Sequence, residues 1–201
     1  MTDPSEGPLH VEPLSEAHLE NFRALFEAAS APCFCRYWHA TGTKNDWLDR
    51  CANRPEENFA EQAAAVRAGD PSAIGLVARN DAGVVGWIKV APRTAVPKIT
   101  GLPVYRTLPF EEGTWVIGCF LVHPSWRRHG VARALVEGAE VHVARCGGRF
   151  IEAHPRRSDV PLHDEEAFRG PEELFLARDY AAVHDVSPYP VYRKVLTPRI
   201  T

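Results

Sequence analysis

The chain has 201 residues, 45% of them hydrophobic and 24% charged, with a formal net charge of -3. These proportions are those of an ordinary folded domain rather than a disordered chain, the near-balanced charge argues against a nucleic-acid surface as the main business of the protein, and no apolar run approaches the ~20 residues that cross a bilayer. The N-terminus MTDPSEGPLHVEPLSEAH lacks the basic start and apolar core of a secretion signal, so the expectation is a cytoplasmic protein with a flexible tail over 1–9 and a single domain over 10–201.

In chain order, HVEPL (10–14) reads as a short first strand. Ser15 then caps a helix whose Leu19, Phe22, Leu25 and Phe26 fall on one apolar face. The aromatic, cysteine-rich stretch APCFCRYWHATGT has no clear periodicity and leads to a second helical region over roughly Asn45 to Ala68, closed by Gly69-Asp70-Pro71. SAIGLVARN (72–80) and GVVGWIKVA (83–91) read as a strand hairpin. Pro97, Pro103, Pro109 and Gly101 mark 92–113 as a loop over or beside a site. TWVIGCFLV (114–122) reads as a strand buried on both faces. A helix follows from Gly130 to about Cys146, stopped by Gly147-Gly148. RFIEAHP (149–155) is a further strand, PEELFLARDY (171–180) a helix with Pro171 in its first turn, and the last strand falls at about 190–196. Strands and helices mixed in this order predict an α/β domain.

The stretch WRRHGVARALV (126–136) joins the buried strand to its helix. A helix begins with amides that have no partner inside the helix, and its dipole favours an anion there. Gly130 allows a close backbone approach, Ala132 keeps the first turn small, and Arg127, Arg128 and His129 add donors; a diphosphate suits the site best. An ordinary solvated helix start is the competing reading. The segment has neither the GK[ST] ending of a P-loop nor the G-x-G-x-x-G of a dinucleotide fold.

FLVHPSWRRHGVARALVEGA (120–139) resembles the acyl-CoA-binding motif of the GNAT superfamily N-acetyltransferases, [RQ]-x-x-G-x-[GA], with Arg127, Gly130 and Ala132 in the three fixed positions. The order of elements from about His10 to Leu196, closing on VYRKVL, is similar as well. The resemblance implies a mixed sheet of about six to seven strands flanked by helices. It implies acetyl-CoA as cosubstrate, its pyrophosphate on the amides from Arg128 through His129, Gly130 and Val131 to Ala132, and its pantetheine arm along Phe120, Leu121 and Val122 by strand addition. An amine acceptor would approach from the other side, under the 92–113 loop and the N-terminal helices. Proteins of this kind often pair through edge strands, which leaves a homodimer open.

The sequence departs from the family where a strand glutamate often serves as base and a late-helix tyrosine as acid. TWVIGCFLV contains no acid, and the nearest are Glu111 and Glu112; Phe175 stands where the tyrosine usually falls, leaving Tyr180 as the candidate acid, with Tyr189 or Tyr192 as substitutes if the last loop folds inward. His123 and Cys119 read as a solvent-facing histidine and a core thiol. Tyr37 and Trp38, with Phe34 and Trp47, are candidate acceptor walls, the alternative being that they fill the core. Cys33, Cys35, His39 and Cys51 do not have the usual zinc spacing, and the five cysteines read as reduced thiols. The function expected is transfer of an acetyl group from acetyl-CoA to a primary amine, of a small molecule rather than a protein, by direct attack and without a metal. The alternative is a non-catalytic acyl-CoA-binding or sensing domain.

Overall fold

The computed structural model describes residues 7–81, 83–160, 162–163 and 166–197. Residues 1–6 of the expected tail, and the final four of the expected domain, lie outside them. Seven strands form one mixed sheet: β1 (His10–Pro13), β2 (Leu76–Asn80), β3 (Gly83–Pro92), β4 (Thr114–Val122), β5 (Phe150–Ala153), β6 (Ala181–His184) and β7 (Val191–Val195). Their order is β1-β2-β3-β4-β5-β7-β6, with β4 and β5 parallel and every other neighbouring pair antiparallel. The helices are α1 (Leu19–Ala28), α2 (Lys44–Asn53), α3 (Pro55–Arg67), α4 (Pro97–Thr100), α5 (Val131–Arg145) and α6 (Glu172–Leu176).

A core lies on each face of the sheet. On one, Val131, Leu135, Val136, Ala139 and Val143 of α5 pack on Val85, Ile88, Val90 and Ile117. On the other, Phe22, Leu25 and Phe26 of α1 pack on Val77 and Trp87, and the chain between α1 and α2 adds Phe34 and Trp38. The four apolar positions spaced for one face of α1 are all buried, as their period requires. Gly86 sets how closely α5 sits. A Cβ there would lie 2.5 Å from Val131 Cγ1 and 3.1 Å from Leu135 Cδ1, so the first turn of α5 rests directly on the β3 backbone.

Four stretches differ from the sequence reading. The single helical region over 45–68 is two helices, because the residue before a proline is driven out of the helical region and Pro55 starts a new helix instead. The helix expected over 171–180 keeps only Glu172–Leu176, with Pro171 as its cap rather than in its first turn. β6 follows it at the sheet edge, where Ala181-Ala182-Val183 is exposed and carries none of the alternation that marks a half-buried strand. The loop over 92–113 is built from α4 and two short 3-10 turns, Arg93–Ala95 and Pro103–Arg106.

The feature that positions the site is the parallel pair. β4 and β5 are paired only from Thr114 to Val116 against Phe150 to Glu152. Beyond Val116 the two strands diverge, and the gap opens toward the N-terminus of α5.

Candidate active site

After β4, His123 accepts from the Ser125 amide at 3.2 Å and caps a 3-10 turn, and the chain enters α5 through two left-handed residues, Arg128 (φ 65°) and Gly130 (φ 79°). Gly130 is the residue just before the helix, and its carbonyl accepts the first helical bond from Ala134 at 3.0 Å. The amides of Val131, Ala132 and Arg133 therefore have no acceptor within the helix. A Cβ at Gly130 would meet nothing within 4 Å, so the glycine answers to its backbone angle and to the open space before it. These features fit a diphosphate cradle: free amides, a positive dipole end, a cationic rim and room for an anion.

The cradle opens into a cavity of about 750 Å³ lined by Phe120, Leu121, Val122, Arg127, Arg128, Gly130, Val131 and Ala132, and on the far wall by Arg156, Arg157, residues 158–160, Phe168 and residues 170–173. Eight of the nine residues that the sequence motif marked for binding line it; His129 does not, its Nδ1 held 2.6 Å from the Arg127 carbonyl oxygen. The far-wall arginines are already engaged, Arg156 with Glu166 (2.5 Å) and Arg157 with Glu172 (2.5 Å) and Asp185 (2.6 Å). One detail departs from strand addition along the whole of 120–122. The Phe120 amide donates to the Phe168 carbonyl oxygen at 2.6 Å, so at that residue the chain's own 166–170 segment meets the strand edge.

On the opposite face the β5 sequence IEAHP places Glu152 and His154 two residues apart and both buried, as the period of a strand dictates. Arg193 of β7 holds Glu152 Oε1 through Nη2 (2.7 Å) and Nε (3.0 Å), and Tyr105 donates its hydroxyl to Oε2 at 2.7 Å. The same hydroxyl contacts His154 Nε2. Burial, with the charge of Arg169 second, lowers the His154 pKa to about 3, which keeps the ring neutral at neutral pH. His154 lies two residues beyond the last residue of β5 that pairs with β4, at the mouth of the gap. The unfolded chain takes up a proton on this histidine near pH 6.5 and the folded one only near 3. Stability is therefore complete above pH 6.5 and falls by about 1.4 kcal/mol per pH unit on acidification through that window. We expect urea titrations at pH 7, 6 and 5 to show a shallower loss in His154→Gln than in the parent. Parallel profiles would contradict the assignment.

The residues considered for catalysis from the sequence do not line the cavity. Glu111 is paired with Arg193 and joins the Glu152 network at its outer end. Glu112 is exposed. Tyr180 is buried behind Phe175, ring centroids 5.3 Å apart, and burial raises its pKa well above the usual phenol value. Tyr192 donates to Glu172 beside Arg157, whereas Tyr189 is exposed and stacks against Arg169. Of the aromatic walls, Trp38 is 3% exposed and lies against β4 at Gly118, where a Cβ would sit 2.9 Å from its Nε1. Tyr37 stands outside it, edge-on to Trp38 at 5.2 Å and to Trp47 at 5.6 Å. Among the described residues no group of three or more His, Cys, Asp or Glu is placed to hold a metal ion, and no helix is long and apolar enough to cross a membrane. Sequence reasoning missed Glu152, His154, Tyr105, Arg157 and Arg169. Only the first two carried a signal, a charged residue and a histidine on one face of an otherwise apolar strand.

A mixed sheet splayed at its one parallel pair, with a basic helix N-terminus opening beside the splay, defines an acyl-CoA N-acyltransferase fold. The model of the acetyltransferase (GNAT) family matches residues 21–165, and the protein belongs to that family. Similar solved structures include the PaiA N-acetyltransferase of Thermoplasma acidophilum in complex with coenzyme A (TM-score 0.54, 10% identity, 94% of this chain and 99% of that one covered). A GNAT family acetyltransferase of Brucella melitensis in complex with acetyl-CoA is similar over 98% of this chain and 93% of its own (TM-score 0.51, 16% identity). An N-acetyltransferase of Staphylococcus aureus Mu50 covers 94% and 99% (TM-score 0.54, 14% identity). At these identities the likeness speaks for the fold alone. The comparison with curated proteins found no match.

Proposed function

We propose that this protein transfers an acetyl group from acetyl-CoA to the primary amine of a small molecule, by direct attack and in the cytoplasm. The observation that carries the reading is the cradle at Gly130, opening into a cavity that follows β4 to the gap between β4 and β5. Family membership and neighbours solved with coenzyme A or acetyl-CoA support it. Bound acetyl-CoA supplies an activated thioester. The residues proposed to hold it are the amides of 128–132 and the Arg127 and Arg128 side chains for the diphosphate, with Phe120, Leu121 and Val122 along the arm.

The acceptor is proposed to enter from the opposite face, between Trp38 and Tyr37 and the gap. An attacking amine must lose a proton. The Tyr105 hydroxyl and the neutral His154 ring, in contact just beyond the end of β5, are the proton-exchanging groups proposed here, and Glu152 with Arg193 and Glu111 holds the Tyr105 hydroxyl in place. Tyr180 is buried against Phe175 and Glu112 is exposed before β4, and neither lines the cavity.

A second reading, an acyl-CoA-binding domain without turnover, is favoured by one observation: the Phe120 amide is already bonded within the chain. Titration with acetyl-CoA, followed by thiol release across a panel of amines, separates the two. Binding with amine-dependent release is expected. Binding without release for any amine supports the second reading, and no binding removes both.

A further inference from the structure

Arg169 follows the residue that bonds to the β4 edge, and its guanidinium is packed among aromatic rings, 4.5 Å from the Tyr189 centroid, 5.1 Å from Trp38 and 5.5 Å from Phe168. Among the described residues it has no carboxylate partner, and its Nε is buried without a hydrogen-bond partner. Aromatic faces attract a cation, but they do not saturate the five donors of a guanidinium. Leaving a cation largely out of water without an acid costs stability, and such groups collect where a ligand supplies the missing charge.

The surroundings share this imbalance. Lys98 stands 4.4 Å from the Tyr37 ring centroid and 5.8 Å from that of Trp47, again without a carboxylate partner among the described residues. Glu152 is committed to Arg193 and Tyr105, with Arg93 at 3.8 Å, and Glu111 to Arg193. Among the described residues on this face of the gap, the cations Arg93, Arg169, Arg193 and Lys98 outnumber the acids Glu111 and Glu152 by two. A polycationic amine would be repelled here. An amine that also bears an anion would be steered in.

Trp38, on which Arg169 stacks, lies against Gly118 of β4, and His154, the residue after β5, is close enough for the charge of Arg169 to act on its ring. Arg169 therefore sits over the gap, on the face away from α5, where an acceptor meets the thioester end of the cavity. We propose that the acceptor is an amine carrying a carboxylate, and that Arg169 binds this carboxylate through its fork of donors while Trp38 and Tyr189 fix the plane of the guanidinium. Arg169 is then a specificity-determining residue, with Lys98 adding long-range attraction. This inference rests on the acetyltransferase reading.

The test is a panel of α- and ω-amino acids, each set beside its carboxamide, together with neutral amines and polyamines, assayed for thiol release from acetyl-CoA with the parent protein, Arg169→Met and Arg169→Lys. The expected result is that the best acceptor bears a carboxylate and exceeds its carboxamide in kcat/KM by about 30-fold or more. Arg169→Met should raise its KM by a similar factor, Arg169→Lys should restore part of the loss, and the Kd for acetyl-CoA should stay within about 3-fold as the control that the fold is kept. Release with neutral amines or polyamines as the best acceptors overturns the proposal and leaves the acetyltransferase reading standing, as does a carboxylate preference that survives in Arg169→Met. No release with any amine, with acetyl-CoA bound, overturns both.

Discussion

Gly130→Asp is expected to bind acetyl-CoA at least about 100-fold more weakly than the parent while melting at nearly the same temperature. The two halves of this expectation have different causes. Gly130 has φ 79° and ψ 0° and sits immediately before α5. Aspartate is among the residues that enter this left-handed region at modest cost, about 1 kcal/mol, and a Cβ meets nothing within 4 Å. A carboxylate before a helix also complements the dipole and can accept from its first amides, which offsets the strain. The same carboxylate would occupy the cradle and set a negative charge against a diphosphate, so binding is lost because the new residue satisfies the helix from within. Gly130→Ala separates charge from strain and should weaken binding far less. Calorimetric titration with acetyl-CoA and a thermal melt check both halves; unchanged affinity in Gly130→Asp would remove the cradle assignment.

Legibility in the sequence followed how local the cause was. The TWVIGCFLV strand, the WRRHG entrance and the α5 face were readable because each is written in consecutive residues: an apolar run, a glycine before a helix, a period of 3.6. Pro55 shows a local signal overlooked, since the apolar pattern on either side of it runs on while the backbone cannot. β6 had no local signal at all. It is an edge strand of alanines held by its pairing with Tyr192 and Arg193, and that pairing is set by the tertiary fold. The site divided in the same way. The proposed diphosphate side comes from one stretch, 120–132. The proposed acceptor side draws Trp38, Tyr105, Glu152, His154, Arg169, Tyr189 and Arg193 from six separate segments, and no spacing rule connects them. The absence of an acid in β4 was visible, but the acid that the fold places beside it, Glu152, belongs to the neighbouring strand and is in register with Val116.

That acid yields the other large effect. Glu152→Leu is expected to lower the free energy of unfolding by about 3–5 kcal/mol, because it leaves the Arg193 charge and the nearby Arg93 without their buried counter-charge. Glu152 is fully buried, and the side chains of Arg193 and Arg93 are only 9% and 5% exposed, so water cannot replace what is removed. Glu152→Gln keeps the shape and can still accept from Arg193 and Tyr105, and should lose about half as much. Removing both partners in Glu152→Leu with Arg193→Leu should cost less than the sum of the single changes, since an apolar pair of similar volume has no charge to strand. Urea denaturation of Glu152→Leu, Arg193→Leu and the double variant measures this coupling, and simple additivity would show that the carboxylate and the guanidinium do not act as a pair. Activity gives an independent reading of the same network. Glu152 fixes the Tyr105 hydroxyl that meets His154, so on the proposed function Glu152→Gln should reduce kcat about 10-fold or more while the Kd for acetyl-CoA, assigned in that proposal to the α5 cradle, stays as it is. A fall in affinity without a fall in kcat would place Glu152 in the scaffold of the cavity and not behind the proton-exchanging groups.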